Sequence, residues 1–249
     1  IYYEMFYPQT TLVSFGRGFS IKRLMFSVKE KFIGALNNAI PEPNSSFMAG
    51  VTIGARKSIP KDLLEDFKKT GVIHIVVLSG YNITLVADFI MRAFSFLPQA
   101  LGIGLGAIGI ILFTIMAGAS AATVRAAIMA LLVILARATG RIYAITWALF
   151  LTGFFMILHN PKILRFDAGF QLSFLATLAL IYLAPYFDKK FQFITNKWKI
   201  REIVSATVAT QIFVLPLLLY KTGIFSAVAL PVNLLILIFM PVTMLLGFI

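Results

Sequence analysis

The sequence predicts an all-α, polytopic membrane helix bundle of about seven membrane segments with an N-terminal interfacial amphipathic helix, and three observations carry that prediction. Hydrophobic residues make up 59% of the chain and charged residues 13%, with a mean hydropathy of +0.91, far from the balance of soluble domains. Successive apolar runs of roughly 18–25 residues are each long enough to cross a hydrocarbon core of about 30 Å. The runs are continuously apolar, without the two-residue alternation of barrel strands, so they read as helices.

Residues 1–70 form a basic extramembrane or interfacial region with amphipathic helices, and residues 71–249 a membrane-embedded domain whose last run is expected to continue in a longer protein. In "FSIKRLMFSVKEKFIGALNNAI", Phe19, Met25, Phe26, Phe32, Ile33 and Leu36 recur at helical spacing with Lys22, Lys29 and Lys31 between them, which suits a helix lying in the membrane interface. "PEPNSS" at 41–46 breaks it, a short polar helix is expected in 60–70, and Gly71 is placed to end that helix. Seven segments follow, at about 72–97, 101–117, 119–138, 142–158, 167–187, 201–220 and 224–249. Pro231 and Pro241 predict a kink or two half-length pieces in the last.

Charge sets orientation. Arg92, Arg137, Arg141, Lys189, Lys190, Lys197, Lys199 and Arg201 share one side if all segments cross, against Lys162, Arg165 and Lys221 on the other; the richer side is the cytoplasmic candidate. If 72–97 is re-entrant, the ten Lys and Arg of the first 70 residues join the cytoplasmic side and the bias grows. The formal charge of +12 suits anionic lipid and equally a polyanion such as nucleic acid. Without cysteine there is no thiolate metal site or cysteine nucleophile, and His74 and His159 alone make no metal set, so no cofactor is expected.

Three stretches break the apolar pattern. In "HIVVLSGYNITL", Ser79-Gly80 reads either as a helix break or as a close-packing site, and His74 as a packing or interface residue before a proton carrier. Tyr81, Thr84, Asp88 and Arg92 share a helix face, which belongs against protein or water, and Asp88 four residues before Arg92 is the favourable order for an ion pair. In 117–141, Ala122, Ala126 and Ala130 make a small stripe for close helix approach. Arg125 lies beside it, about 9 Å in from Ala119 at 1.5 Å per residue, and reads as snorkelling or as paired and pore-lining. Asp167, Gln171, Ser173 and Thr177, and then Thr207, Thr210 and Gln211, make polar faces that suit helix glue or a hydrated route.

These stretches together resemble the ComEC family of competence proteins, the inner-membrane channel through which bacteria take up transforming DNA. The family's "HLLxxSGLHV" is similar to "HIVVLSGYNI", its "GASxxxxRAxxM" matches Gly118, Ala119, Ser120, Arg125, Ala126 and Met129, and its "GFQLSFxA" matches Gly169 to Phe174 and Ala176. The family's second histidine is replaced by Asn82, so no imidazole acts there. The resemblance implies a multi-pass protein of the bacterial cytoplasmic membrane that passes single-stranded DNA, works with other competence proteins and flanking domains, and is not an enzyme. The path it implies involves His74, Ser79, Gly80, Asn82, Asp88, Arg125, Gln171 and Gln211. Phosphates would be drawn by Lys and Arg, while aromatic stacking tolerates any base sequence. The alternative is a small-solute transporter with broken helices.

Overall fold

The computed structural model describes residues 20–55, 59–72, 80–94, 96–194, 199–223, 226 and 228–248, and the described residues are helical without strands. In chain order the helices are α1 (Ser20–Ala39), α2 (Asn44–Ile53), α3 (Lys61–Lys69), α4 (Gly80–Ala93), α5 (Gln99–Met116), α6 (Ala121–Ala138), α7 (Ile145–His159), α8 (Ile163–Phe166), α9 (Ala168–Lys190), α10 (Ile200–Thr222) and α11 (Ala229–Gly247).

Four of them, α6, α9, α10 and α11, are long and apolar enough to cross a membrane, and Leu101–Met116 and Ile145–His159 are shorter apolar helices. The seven expected crossings are thus met only in part. Of the segment expected at 72–97, Gly80–Ala93 form α4, about 21 Å long at 1.5 Å per residue, and residues 73–79 lie outside the described residues. The last run is one helix rather than two half-length pieces. Its Pro231 sits in the first turn, where a backbone N–H has no intrahelical partner to lose. In α9, a π-helical turn at Ala179–Leu183 precedes Pro185, whose ring would otherwise crowd the carbonyl four residues back.

Packing closes a circuit of neighbours: α6 on α9, α9 on α10, α10 on α11, α11 on α2, α2 on α1, α1 on α5 and α5 on α6, with α4 against both α5 and α6. The central apolar cluster joins Ile83 and Val86 of α4 to Val51 of α2, Phe113 of α5, Ala126 of α6, and Met240 and Met244 of α11. Two glycines of α5 receive α4: Gly106 lies under Met91 and Gly109 under Ile90.

Helix α2 is unanticipated. Its small residues (Ser45, Ser46, Ala49 and Gly50) are buried along with Val51, Thr52 and Ile53, so it belongs to the core despite the prolines just before it. Helix α1 packs on α2 and α5 through Phe32, Ile33 and Leu36, and exposes Ile21, Leu24 and Val28. Lys29 ties it down: its Nζ donates to the carbonyl of Met116 at 3.2 Å and of Gly54 at 3.5 Å. A cation there complements carbonyl-rich helix ends, and burial lowers the Lys29 pKa. Outside the bundle, α7 shows a broad apolar face that includes Trp147, Phe150, Phe154 and Leu158.

Candidate functional site

The site is built where α4, α6 and α9 meet. Leaving α5, the chain turns through Gly118 and Ala119, both at positive φ (91° and 49°), and Ser120 then caps α6 by accepting from the N–H of Thr123 at 3.4 Å. At the sixth residue of the new helix, Ala126 is buried and small, which lets Gly80, the first residue of α4, come close. Arg125 is the neighbour of that contact. A Cβ placed on Gly80 would overlap Nη2 of Arg125 and lie 3.8 Å from the Cβ of Ala126.

Helix α9 supplies the other side. Asp167 caps it, with Oδ1 accepting from the Phe170 N–H at 2.9 Å. Gln171 straps the preceding turn by donating from Nε2 to the carbonyls of Leu164 at 2.7 Å and Arg165 at 3.2 Å, and its Oε1 is buried without a partner among the described residues. One turn on, Phe174 stacks with Phe170 and fits over Gly153 of α7. Ser173 is thereby aimed at α6. Its hydroxyl donates to the Phe170 carbonyl at 3.2 Å and accepts from Nε of Arg125 at 3.2 Å.

Arg125 is therefore held inside the protein by neutral groups. Its other hydrogen-bond partner among the described residues is the sulfur of Met129, 3.4 Å from Nη1. The acids that composition offers are spent elsewhere or turned away: Asp167 caps α9, and Asp88 is exposed on α4. The ion pairs among the described residues are Lys69–Asp66, Lys199–Glu202 and Arg201–Asp188, so the expected Asp88–Arg92 pair does not form. Both side chains are exposed, where an ion pair gains little. The Arg125 charge reaches Tyr143.

The other expected path residues separate from this centre. Asn82 is fully buried and its Nδ2 donates to the carbonyl of Val51 at 3.1 Å. Val51 lies in the last turn of α2, where carbonyls lack intrahelical partners, so Asn82 closes that helix. Gln211 is half-buried on α10. Its neighbours Thr207 and Thr210 turn their hydroxyls back onto the carbonyls of Ile203 and Ala206, and Thr177 does the same to Ser173. His74 and Ser79 lie outside the described residues. Ser173 carries more of the site than its place in a polar stripe signalled, and nothing in periodicity named it as the partner of Arg125.

Four crossing-length apolar helices, with a guanidinium on one of them that has no acidic partner among the described residues, define a helical membrane protein with a polar interior site. Residues 51–249 match the family described as "Competence protein", and the chain belongs to that family. It is similar to "ComE operon protein 3" of Bacillus subtilis (strain 168), 25% identical over 232 residues, which cover 92% of this chain and 29% of that protein. An uncharacterized protein of Aquifex aeolicus (strain VF5) is 27% identical over 173 residues, 69% of this chain and 38% of that protein. The chain thus spans about a third of the length of these relatives. No solved structure matches it.

Proposed function

We propose that this chain is the membrane domain of a channel that carries single-stranded transforming DNA across the bacterial cytoplasmic membrane, with other competence proteins and flanking domains supplying what it lacks. The observation that carries this reading is Arg125. Among the described residues it has no acidic partner, and its hydrogen bonds go to the Ser173 hydroxyl and the Met129 sulfur, beside the first residue of α4. Neutral dipoles offset desolvation of a guanidinium only in part, so an anion passing there gains from the charge. A DNA phosphate is such an anion, and a net charge of +12 favours its approach.

The test is internalised labelled single strand per molecule of inserted protein. Arg125→Lys should keep part of the uptake, because a point charge still attracts phosphate but cannot reproduce the guanidinium fork. Arg125→Gln should lose most of it at normal abundance. Normal uptake and abundance in Arg125→Gln would refute the phosphate contact. Uptake of a small anion instead of DNA would favour the transporter alternative.

A further inference from the structure

At the end of the bundle where α6 and α9 begin, a cavity of about 340 Å³ opens between α6, α7 and the α8–α9 turn. Its polarity changes with depth. Val124 and Ile128 of α6, with Phe155 and Met156 of α7, line the part towards the middle of the helices. His159, Asn160 and Asp167 line the part at the helix ends. The volume sits at the low end of small-molecule pockets, roughly 300–1,000 Å³, enough for part of one chain-like ligand rather than a whole lipid.

The apolar wall is continuous with the bilayer-facing surface. Phe155 lines the cavity and is 51% exposed, and it adjoins Phe154, Leu158 and Leu151 on the exposed face of α7. Whatever enters from that side comes from the hydrocarbon phase. The polar end is matched to both signs of charge. The carboxylate of Asp167 takes part in no ion pair among the described residues, and the one backbone N–H that its Oδ1 accepts leaves it further acceptor capacity. Asn160 uses its amide oxygen to accept from the N–H of Lys162 at 3.2 Å, which leaves its NH₂ to donate, and His159 stands next to it.

We propose that this cavity is a phospholipid site that takes an acyl chain between α6 and α7 and prefers a headgroup bearing a primary ammonium, phosphatidylethanolamine. The ammonium pairs with Asp167, the phosphate accepts from Asn160 and His159, and the chain replaces water against Val124, Ile128 and Met156. A quaternary ammonium has no N–H to give Asp167, and an anionic headgroup meets a carboxylate of like charge, so both are held more weakly.

The experiment reconstitutes the full-length protein in bilayers doped with photo-crosslinkable analogues of phosphatidylethanolamine, phosphatidylcholine or phosphatidylglycerol, the diazirine in the acyl chain, and maps labelled peptides by mass spectrometry. The expected result is preferential phosphatidylethanolamine labelling of the α6 and α7 peptides containing Ile128 and Met156. Ile128→Trp fills the cavity and should remove that labelling. Asp167→Asn keeps the α9 cap, because an amide oxygen also accepts from Phe170, and should cut the preference about tenfold, equivalent to about 1.4 kcal/mol. Equal labelling by the three lipids, unchanged labelling in Ile128→Trp, or unchanged preference in Asp167→Asn would each overturn the proposal.

Discussion

Gly80→Ala tests the site with the smallest change a side chain can make. The added methyl occupies the place of Arg125 Nη2, and the nearest fixed atom, the Ala126 Cβ at 3.8 Å, is no obstacle. The helices need not separate; the guanidinium must swing away. That movement breaks its 3.2 Å bond to Ser173, and a hydrogen bond to a charged group contributes about 1.5–3 kcal/mol. Alanine offsets part of this, up to about 1 kcal/mol of helix propensity, and less at the first residue of a helix. The net expectation is a loss of about 0.5–2 kcal/mol.

The assay is a double-mutant cycle on thermal unfolding in detergent, with DNA uptake measured in parallel. If Gly80→Ala acts through Arg125, its cost should largely vanish in an Arg125→Gln or Ser173→Ala background, because the bond it breaks is already gone. Uptake should fall in step. Additive costs in both cycles, or a Gly80→Ala protein with wild-type stability and uptake, would refute the argument that Gly80 is small for the sake of the arginine.

Two further outcomes are expected. Asn82→Leu should cost about 1–3 kcal/mol in unfolding free energy by leaving the Val51 carbonyl buried without its donor, whereas Gln211→Leu, which breaks no hydrogen bond among the described residues, should stay within about 0.5 kcal/mol; equal costs would contradict this division of roles. A single cysteine placed at Lys190 in this cysteine-free chain should be protected from an impermeant thiol reagent added outside intact cells, and rapid external labelling would reverse the assigned orientation.

What the sequence made legible is what periodicity encodes. The runs at 119–138, 167–187 and 201–220 fall close to α6, α9 and α10, because a long apolar stretch has few alternatives to a helix in lipid. Helix α2 was illegible for the converse reason: "NSSFMAGVTI" is short and rich in small residues, without an apolar stripe, and its burial comes from neighbours far along the chain. The depth of Arg125 was readable from one helix. Its partner was not, since choosing Ser173 over Asp88 or Asp167 requires knowing which helices adjoin and which carboxylate a cap has already taken. Likewise Asn82 looked like a polar group seeking a path, but its donor answers an orphan carbonyl 31 residues earlier.

Among the described residues, several polar groups that the sequence offers for a passing strand are committed elsewhere. The hydroxyls of Thr84, Thr177, Thr207 and Thr210 are bonded to their own helices, and the donors of Asn82 and Gln171 serve other elements. Arg125 remains beside the start of α4, and along the same helix Asp88 stands exposed. On the proposed reading the strand therefore follows α4. A row of cations alone would hold phosphates too tightly to release them. An acid along the path from a basic position lowers the affinity of that stretch, and conduction needs binding that admits the ion and still lets it leave. Asp88 then acts as the releasing element: Asp88→Asn should raise binding of single strand to the reconstituted protein and slow its passage, and a variant with both unchanged would remove α4 from the path.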